Sequence, residues 1–203
     1  YQSMQDWNRK IEFAFISRYI ITIEDEYMRT IEAILTRKSV REYSDKPIEE
    51  ETLQTILKAG QAGPSARNRR DWHFLVVQDP ATLKKMAESH GLNVSMPLMR
   101  AKMAVVVLGD KSVSSGDFWQ VDCSIAAQNM ILAAHELGIG SCWIGTFPVE
   151  ERIKVHRDIF HLPEHIVPHS IITFGYPKDD SNFYNLQEGK PVLEENKIHH
   201  EKW

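Results

Sequence analysis

The chain has 203 residues, 42% of them hydrophobic and 26% charged, with a formal net charge of −4. That length encloses one sizeable core without staples, and the acidic balance argues against a general nucleic-acid binder. Two cysteines, Cys123 and Cys142, are too few for a disulfide-built secreted scaffold and fit a cytoplasmic protein, and no apolar run approaches the ~18–20 residues of a membrane span.

Tyr1-Gln2-Ser3-Met4 reads as a tag remnant. Phe13, Phe15, Ile16, Tyr19, Ile20 and Ile23 form an apolar patch broken by Glu12, Ser17 and Arg18. This predicts an extra helix rather than a signal peptide, so residues 1–27 read as a tag plus extension and 28–203 as one domain starting at Met28. Ile31, Ile34 and Leu35 stand at 3–4 spacing and predict a helix over Arg29–Lys38. Pro47 followed by Glu49, Glu50 and Glu51 opens a second helix, which Gly63-Pro64-Ser65 stops. Trp72–Val77 reads as a strand. Asp79-Pro80 starts a helix running to about His90. Ala104–Leu108, apolar throughout, predicts a central strand.

The longest predicted helix covers Asp117–Leu137, with Val121, Ile125, Met130, Ile131 and Ala134 along it and alanines permitting close approach. Gly138-Ile139-Gly140 ends it. Cys142–Gly145 reads as a short strand or loop, Pro148–Phe160 as a helix and Val167–Tyr176 as a last core strand. The tail from Pro177 to Trp203 is polar. With no repeat and no linker, the pattern is one α+β domain.

Few patterns carry side-chain chemistry. Gly138-x-Gly140 follows a helix and precedes a strand, the reverse of a dinucleotide fingerprint, and Trp143 stands where its third glycine belongs. His161-Leu162-Pro163-Glu164-His165 matches a zinc-peptidase spacing, but Pro163 disfavours the helix on which that spacing works. Cys142 reads as a small buried hydrophobe. Arg37-Lys38-Ser39-Val40-Arg41 remains. As a helix end, Arg37 and Lys38 would complement the helix dipole at ~0.3–1 kcal/mol each. As an anion receptor, Arg37, Ser39 and Arg41 would turn two guanidinium forks and a hydroxyl toward a phosphate.

Four motifs occur in order: Arg37-Lys38-Ser39-Val40-Arg41-Glu42-Tyr43, Gly63-Pro64-Ser65-Ala66-x-Asn68 with Trp72 after it, Cys142-Trp143-Ile144-Gly145, and Gly175-Tyr176-Pro177. In this register the chain from Met28 to Trp203 resembles the nitroreductase family of homodimeric, FMN-dependent oxidoreductases. The resemblance implies an α+β fold in which a mixed, mainly antiparallel sheet is wrapped by helices, with two chains interwoven as a homodimer. It implies that Arg37, Lys38, Ser39 and Arg41 hold the phosphate and the ribityl or pyrimidine edge of a tightly bound FMN. Pro64, Ser65 and Asn68 would approach the flavin from the other subunit. Ile144 and Gly145 would lie along the ring, and Gly175 with a tail cation, Lys190, would finish the phosphate pocket. FMN would pass electrons from NADH or NADPH to a small aromatic acceptor such as a nitro compound or quinone, with no catalytic side chain and no metal. Other flavin chemistry, such as dehalogenation or flavin fragmentation, and a non-catalytic flavin-binding redox sensor are the alternatives.

One segment departs from the family. Where the family often has Asn-x-Gln-Pro-Trp, this chain has Asn68-Arg69-Arg70-Asp71-Trp72. With Arg67 this makes a second basic cluster, either a solvated loop or a contact for an anionic substrate or the 2′-phosphate of NADPH. Phe118 and Trp119 could stack on an aromatic acceptor or begin a helix in the core.

Overall fold

The computed structural model describes residues 30–90, 92–186 and 193–203. The extension and Lys190 lie outside the described residues. The helices are α1 (Thr30–Thr36), α2 (Glu50–Gln61), α3 (Pro80–Ser89), α4 (Leu92–Arg100), α5 (Trp119–Glu136) and α6 (Glu150–Phe160). The strands are β1 (Trp72–Val77), β2 (Met103–Asp110), β3 (Gly140–Gly145) and β4 (Ile166–Gly175), in one antiparallel sheet of order β1-β2-β4-β3.

The sheet is covered on both faces. Met103, Val105 and Val107 of β2 and Ile172 and Phe174 of β4 join Leu53 and Ile56 of α2 and Ala126, Met130 and Ala134 of α5 in one core. The alternate residues Ala104, Val106, Leu108 and Ile171 meet Leu83 and Met86 of α3 and Leu98 of α4 in a second. The period-2 alternation of a strand thus serves two cores. This is why β2 and β4 read as continuous apolar runs although the sheet is antiparallel: all of β4 is buried, and all of β2 except Asp110. α5 lies between α2 and the sheet, which explains its apolar character on several sides.

Local signals set most element ends. The Asp79 carboxylate accepts from the Thr82 N–H at 2.9 Å with Pro80 in the first turn. Gly138, at φ 74°, turns the chain out of α5. α5 itself starts at Trp119, because Gly116–Phe118 forms a 3-10 turn. Trp119 is core at 2% exposure, whereas Phe118 stays exposed. No described helix is long and apolar enough to cross a membrane.

α1 departs from expectation twice. It stops at Thr36, because the next residues go extended to pair with β3. Its inward face is Ala33 and Thr36, while Ile31 and Ile34 are 66% and 47% exposed. A hydroxyl decides the rotation: Thr36 Oγ1 donates to the Glu32 carbonyl at 2.7 Å and accepts from buried His135 Nε2 at 2.8 Å.

Candidate functional site

The cationic segment becomes a short strand on the edge of the sheet. Ser39 bridges Ser141 in parallel, and the Val40 N–H donates to the Ser141 carbonyl at 2.8 Å. The approach is so close that a Cβ at Gly140 would stand 2.7 Å from Val40 Cβ. Three residues on, the Tyr43 ring packs on Gly175, where an added Cβ would lie 2.7 Å from Tyr43 Cδ1. The Tyr43 hydroxyl donates to the Val40 carbonyl at 2.7 Å, and burial raises its pKa, so it stays protonated. Gly140 and Gly175 therefore seat the segment that carries Arg37, Lys38, Ser39 and Arg41.

None of Arg37, Lys38 and Arg41 has a carboxylate partner among the described residues. Lys38 Nζ donates to the Asn182 carbonyl, which brings the chain after β4 over the cluster. Behind it, His135 packs on Phe183 with ring centroids 4.5 Å apart. Burial, together with Arg37 and Lys38, lowers the pKa of His135 to about 4, so it adds no charge at neutral pH. The positive charge belongs to the two arginines and the lysine.

β3 continues from this cationic end. The Ser141 carbonyl faces the cationic segment, so the backbone groups of Trp143 and Gly145, at two-residue spacing, face the same way. Beyond Ser141 no described strand pairs with that edge. A Cβ at Gly145 would meet nothing within 4 Å, and Arg152 Nη1 donates to the Gly145 carbonyl at 2.7 Å. Ile144 turns its side chain into the second core at 3% exposure, and its backbone groups face β4, so it gives the edge shape but no free hydrogen-bonding group. Exposed Trp143 lies edge-on to buried His169, with centroids 5.7 Å apart. From Ser141 to Gly145 the edge runs about 13 Å.

The Pro64–Asn68 segment is built separately. It follows α2 and is pinned by Asp122, whose two carboxylate oxygens accept from the Ala66 N–H at 2.9 and 3.1 Å. Ser65 Oγ accepts from the Arg70 N–H at 2.9 Å, and Asn68 Oδ1 from Arg70 Nε at 3.1 Å. Arg67, Asn68 and Arg70 all have left-handed backbone, with φ of 52°, 54° and 51°. Each such non-glycine residue costs on the order of 1 kcal/mol, which the anchors sustain. Beneath them Asp71 is fully buried, and neither of its carboxylate oxygens has a hydrogen-bond donor. Burial, and after it the charge of Asp71, pushes the Asp122 carboxyl up, against the lowering effect of the Ala66 N–H.

Within one chain these two constructions stay apart. The Pro64–Asn68 loop is anchored at Asp122 of α5, and the cationic segment backs onto His135 of the same helix. Those residues are thirteen positions apart, about 20 Å along the axis. Sequence reasoning missed Asp122, although a lone acid inside an apolar helix is a visible signal. It also missed Arg152 and Asn182, which act through contacts distant in sequence. The His161–His165 stretch is a loop: His161 ends α6 with left-handed backbone, and the His165 carbonyl accepts from the Lys111 N–H at 2.9 Å.

Cations at one end of an open sheet edge, with unpaired amides along it, make a receptor for an elongated anion with a flat body. The chain belongs to the nitroreductase family, whose model matches residues 34–95 and 91–176. It is 44% identical over 175 residues to a protein of Archaeoglobus fulgidus provisionally named NADH dehydrogenase/NAD(P)H nitroreductase, covering 85% of this chain and 98% of that one. A crystal structure from Parabacteroides distasonis, with the same provisional name, is 40% identical and superposes with a TM-score of 0.77 over 86% of this chain and 98% of the other. An FMN-dependent nitroreductase from Clostridium difficile is 31% identical, with a TM-score of 0.77 over 85% and 99%.

Proposed function

We propose that the chain is an FMN-dependent NAD(P)H oxidoreductase that reduces a small aromatic acceptor, such as a nitro compound or a quinone. The observation that carries this reading is the β3 edge: cations without carboxylate partners at Ser39–Ser141, then open backbone and an unfilled Cβ position at Gly145. The donor set fits FMN, since guanidinium forks and a hydroxyl suit a phosphate, and edge N–H groups suit the polar rim of a flat ring. Bound flavin supplies the electron-carrying chemistry between nicotinamide and acceptor.

The chain's own residues bind and orient. Arg37, Lys38, Ser39 and Arg41 hold the phosphate end, while the β3 edge at Ile144 and Gly145 lies along the ring, with Gly145 offering the outward backbone groups. Gly175 keeps Tyr43 and hence the cationic segment seated, and Lys190 closes the phosphate end. Arg152 fixes the Gly145 carbonyl, which holds the backbone amide beside it in place. Pro64, Ser65 and Asn68 approach from a second copy of the chain, because their own α5 anchor lies at the far end from His135. Ile31 and Ile34, turned outward on α1, suit burial in that homodimer.

The test is optical. Purified protein, or protein titrated with FMN, is expected to show the visible bands of bound oxidised flavin. NADH or NADPH should bleach them, and a nitroaromatic or quinone should restore them. A colourless protein that takes up no FMN refutes the reading. A flavin that nicotinamide nucleotides do not bleach marks a binder instead of an enzyme.

A further inference from the structure

The flavin site leaves Arg67, Arg69 and Arg70 unused. All three are exposed, and none forms an ion pair among the described residues. In a chain of net charge −4 they make a local reversal of sign. The acids about the loop and cleft are engaged or buried: Asp122 accepts from the Ala66 N–H, Asp71 is fully buried, and Asp110 accepts from Ser112 and faces His73 at 3.6 Å. Arg70 is oriented through Nε by Asn68 Oδ1, which leaves its terminal nitrogens as a fork.

Arg70 also stands on a cleft of about 500 Å³ between α2 and the start of β1, lined by Leu57, Gln61, Trp72, His73 and Phe74. Walls that are half polar and half apolar, with aromatic Trp72 and Phe74 among them and the Arg70 guanidinium at the rim, suit a flat base attached to a phosphomonoester. Three donors-only cations beside one another suit a dianion better than a hydroxyl, which carries no charge to meet them. The nucleotide substrates of the proposed reaction differ in that one group.

We propose that Arg67, Arg69 and Arg70 bind the 2′-phosphate of NADPH, with its adenine in the adjoining cleft, so that the enzyme prefers NADPH to NADH. The inference rests on the NAD(P)H oxidoreductase reading. Its test therefore includes a binding measurement that needs no turnover. Arg70 is left intact, because it orients Asn68; the variant is Arg67→Ala with Arg69→Ala. By calorimetry, the unaltered protein should bind adenosine 2′,5′-bisphosphate at least tenfold more tightly than adenosine 5′-monophosphate, and the double variant should lose that difference. In turnover, kcat/KM for NADPH should fall at least tenfold, mainly through KM, and that for NADH less than twofold. Equal affinity of the unaltered protein for the two adenosine nucleotides overturns the proposal. So does an unchanged nucleotide preference in the variant, or an equal loss with NADPH and NADH. Discrimination between the adenosine nucleotides without any flavin reduction upholds the phosphate site and sinks the redox reading instead.

Discussion

Arg41 reaches back only to the Ser39 carbonyl, at 3.5 Å, a contact too long to commit its guanidinium. It stabilises nothing else among the described residues, so its removal should spare the fold. Arg41→Ala is expected to weaken FMN binding at least tenfold, about 1.4 kcal/mol, with an unchanged thermal midpoint; fluorescence titration and calorimetric melting check both. Asp71 makes the opposite case. Its carboxylate is buried without a donor beside a second carboxylate. Asp71→Asn would put an amide N–H, in place of a second carboxyl oxygen, beside Asp122. The expected outcome is a gain of about 1–3 kcal/mol in chemical denaturation; a loss would mean that the buried carboxyl serves the native state.

At the scale of elements, the decisive contact is between Ser39–Val40 and β3. Gly140→Ala would place a methyl against Val40 and push the cationic strand off the edge. It should cost about 1–3 kcal/mol of stability and weaken FMN binding together, unlike Arg41→Ala, and one titration paired with one melt separates the two variants. This contact also marks where sequence reading stops. The periodicity of α3, α5 and β2 is written locally, and the order of four motifs pointed to the family. The end of α1 is not local: Arg37 and Lys38 continue a good helical pattern until the carbonyl of Ser141, far along the chain in β3, takes the Val40 N–H. The rotation of α1 is hidden for the same reason, since Thr36 faces inward only because His135 waits there. Asp71 looked like a plain departure from a proline, and nothing beside it in sequence tells that it is fully buried.

Four of the nine histidines, His90, His135, His156 and His169, lie inside the molecule. Burial lowers His90, His135 and His169 to about 4, and His90 Nε2 lies 3.3 Å from His156 Nε2, close enough for one proton but not two. Unfolded, these rings titrate near 6.5. Between pH 6.5 and 4 the unfolded chain therefore binds more protons, so stability is full above that window and declines as pH falls through it. Melting temperatures across pH 4–8 should show this slope, and His90→Gln should flatten it; a pH-independent midpoint contradicts the assignment. Outward-facing Ile31 and Ile34 bear on assembly. Ile34→Glu is expected to shift the chain from dimer to monomer in ultracentrifugation and to lose FMN with it, because the Pro64–Asn68 loop would no longer reach a partner's edge.

The open side of β3 has a meaning for handling as well as for binding. A sheet rim with spare amides is a template on which another strand can grow, and proteins normally guard such rims with charge or cover. Here the guard is partial: a bridge at Ser39 and a basic rim, then bare backbone toward Gly145. Protein stripped of flavin should accordingly self-associate and scatter light on warming, and added FMN should suppress the scatter at concentrations that fill the site. The ligand would then act as the missing last strand of the sheet, and expression yield would track riboflavin supply.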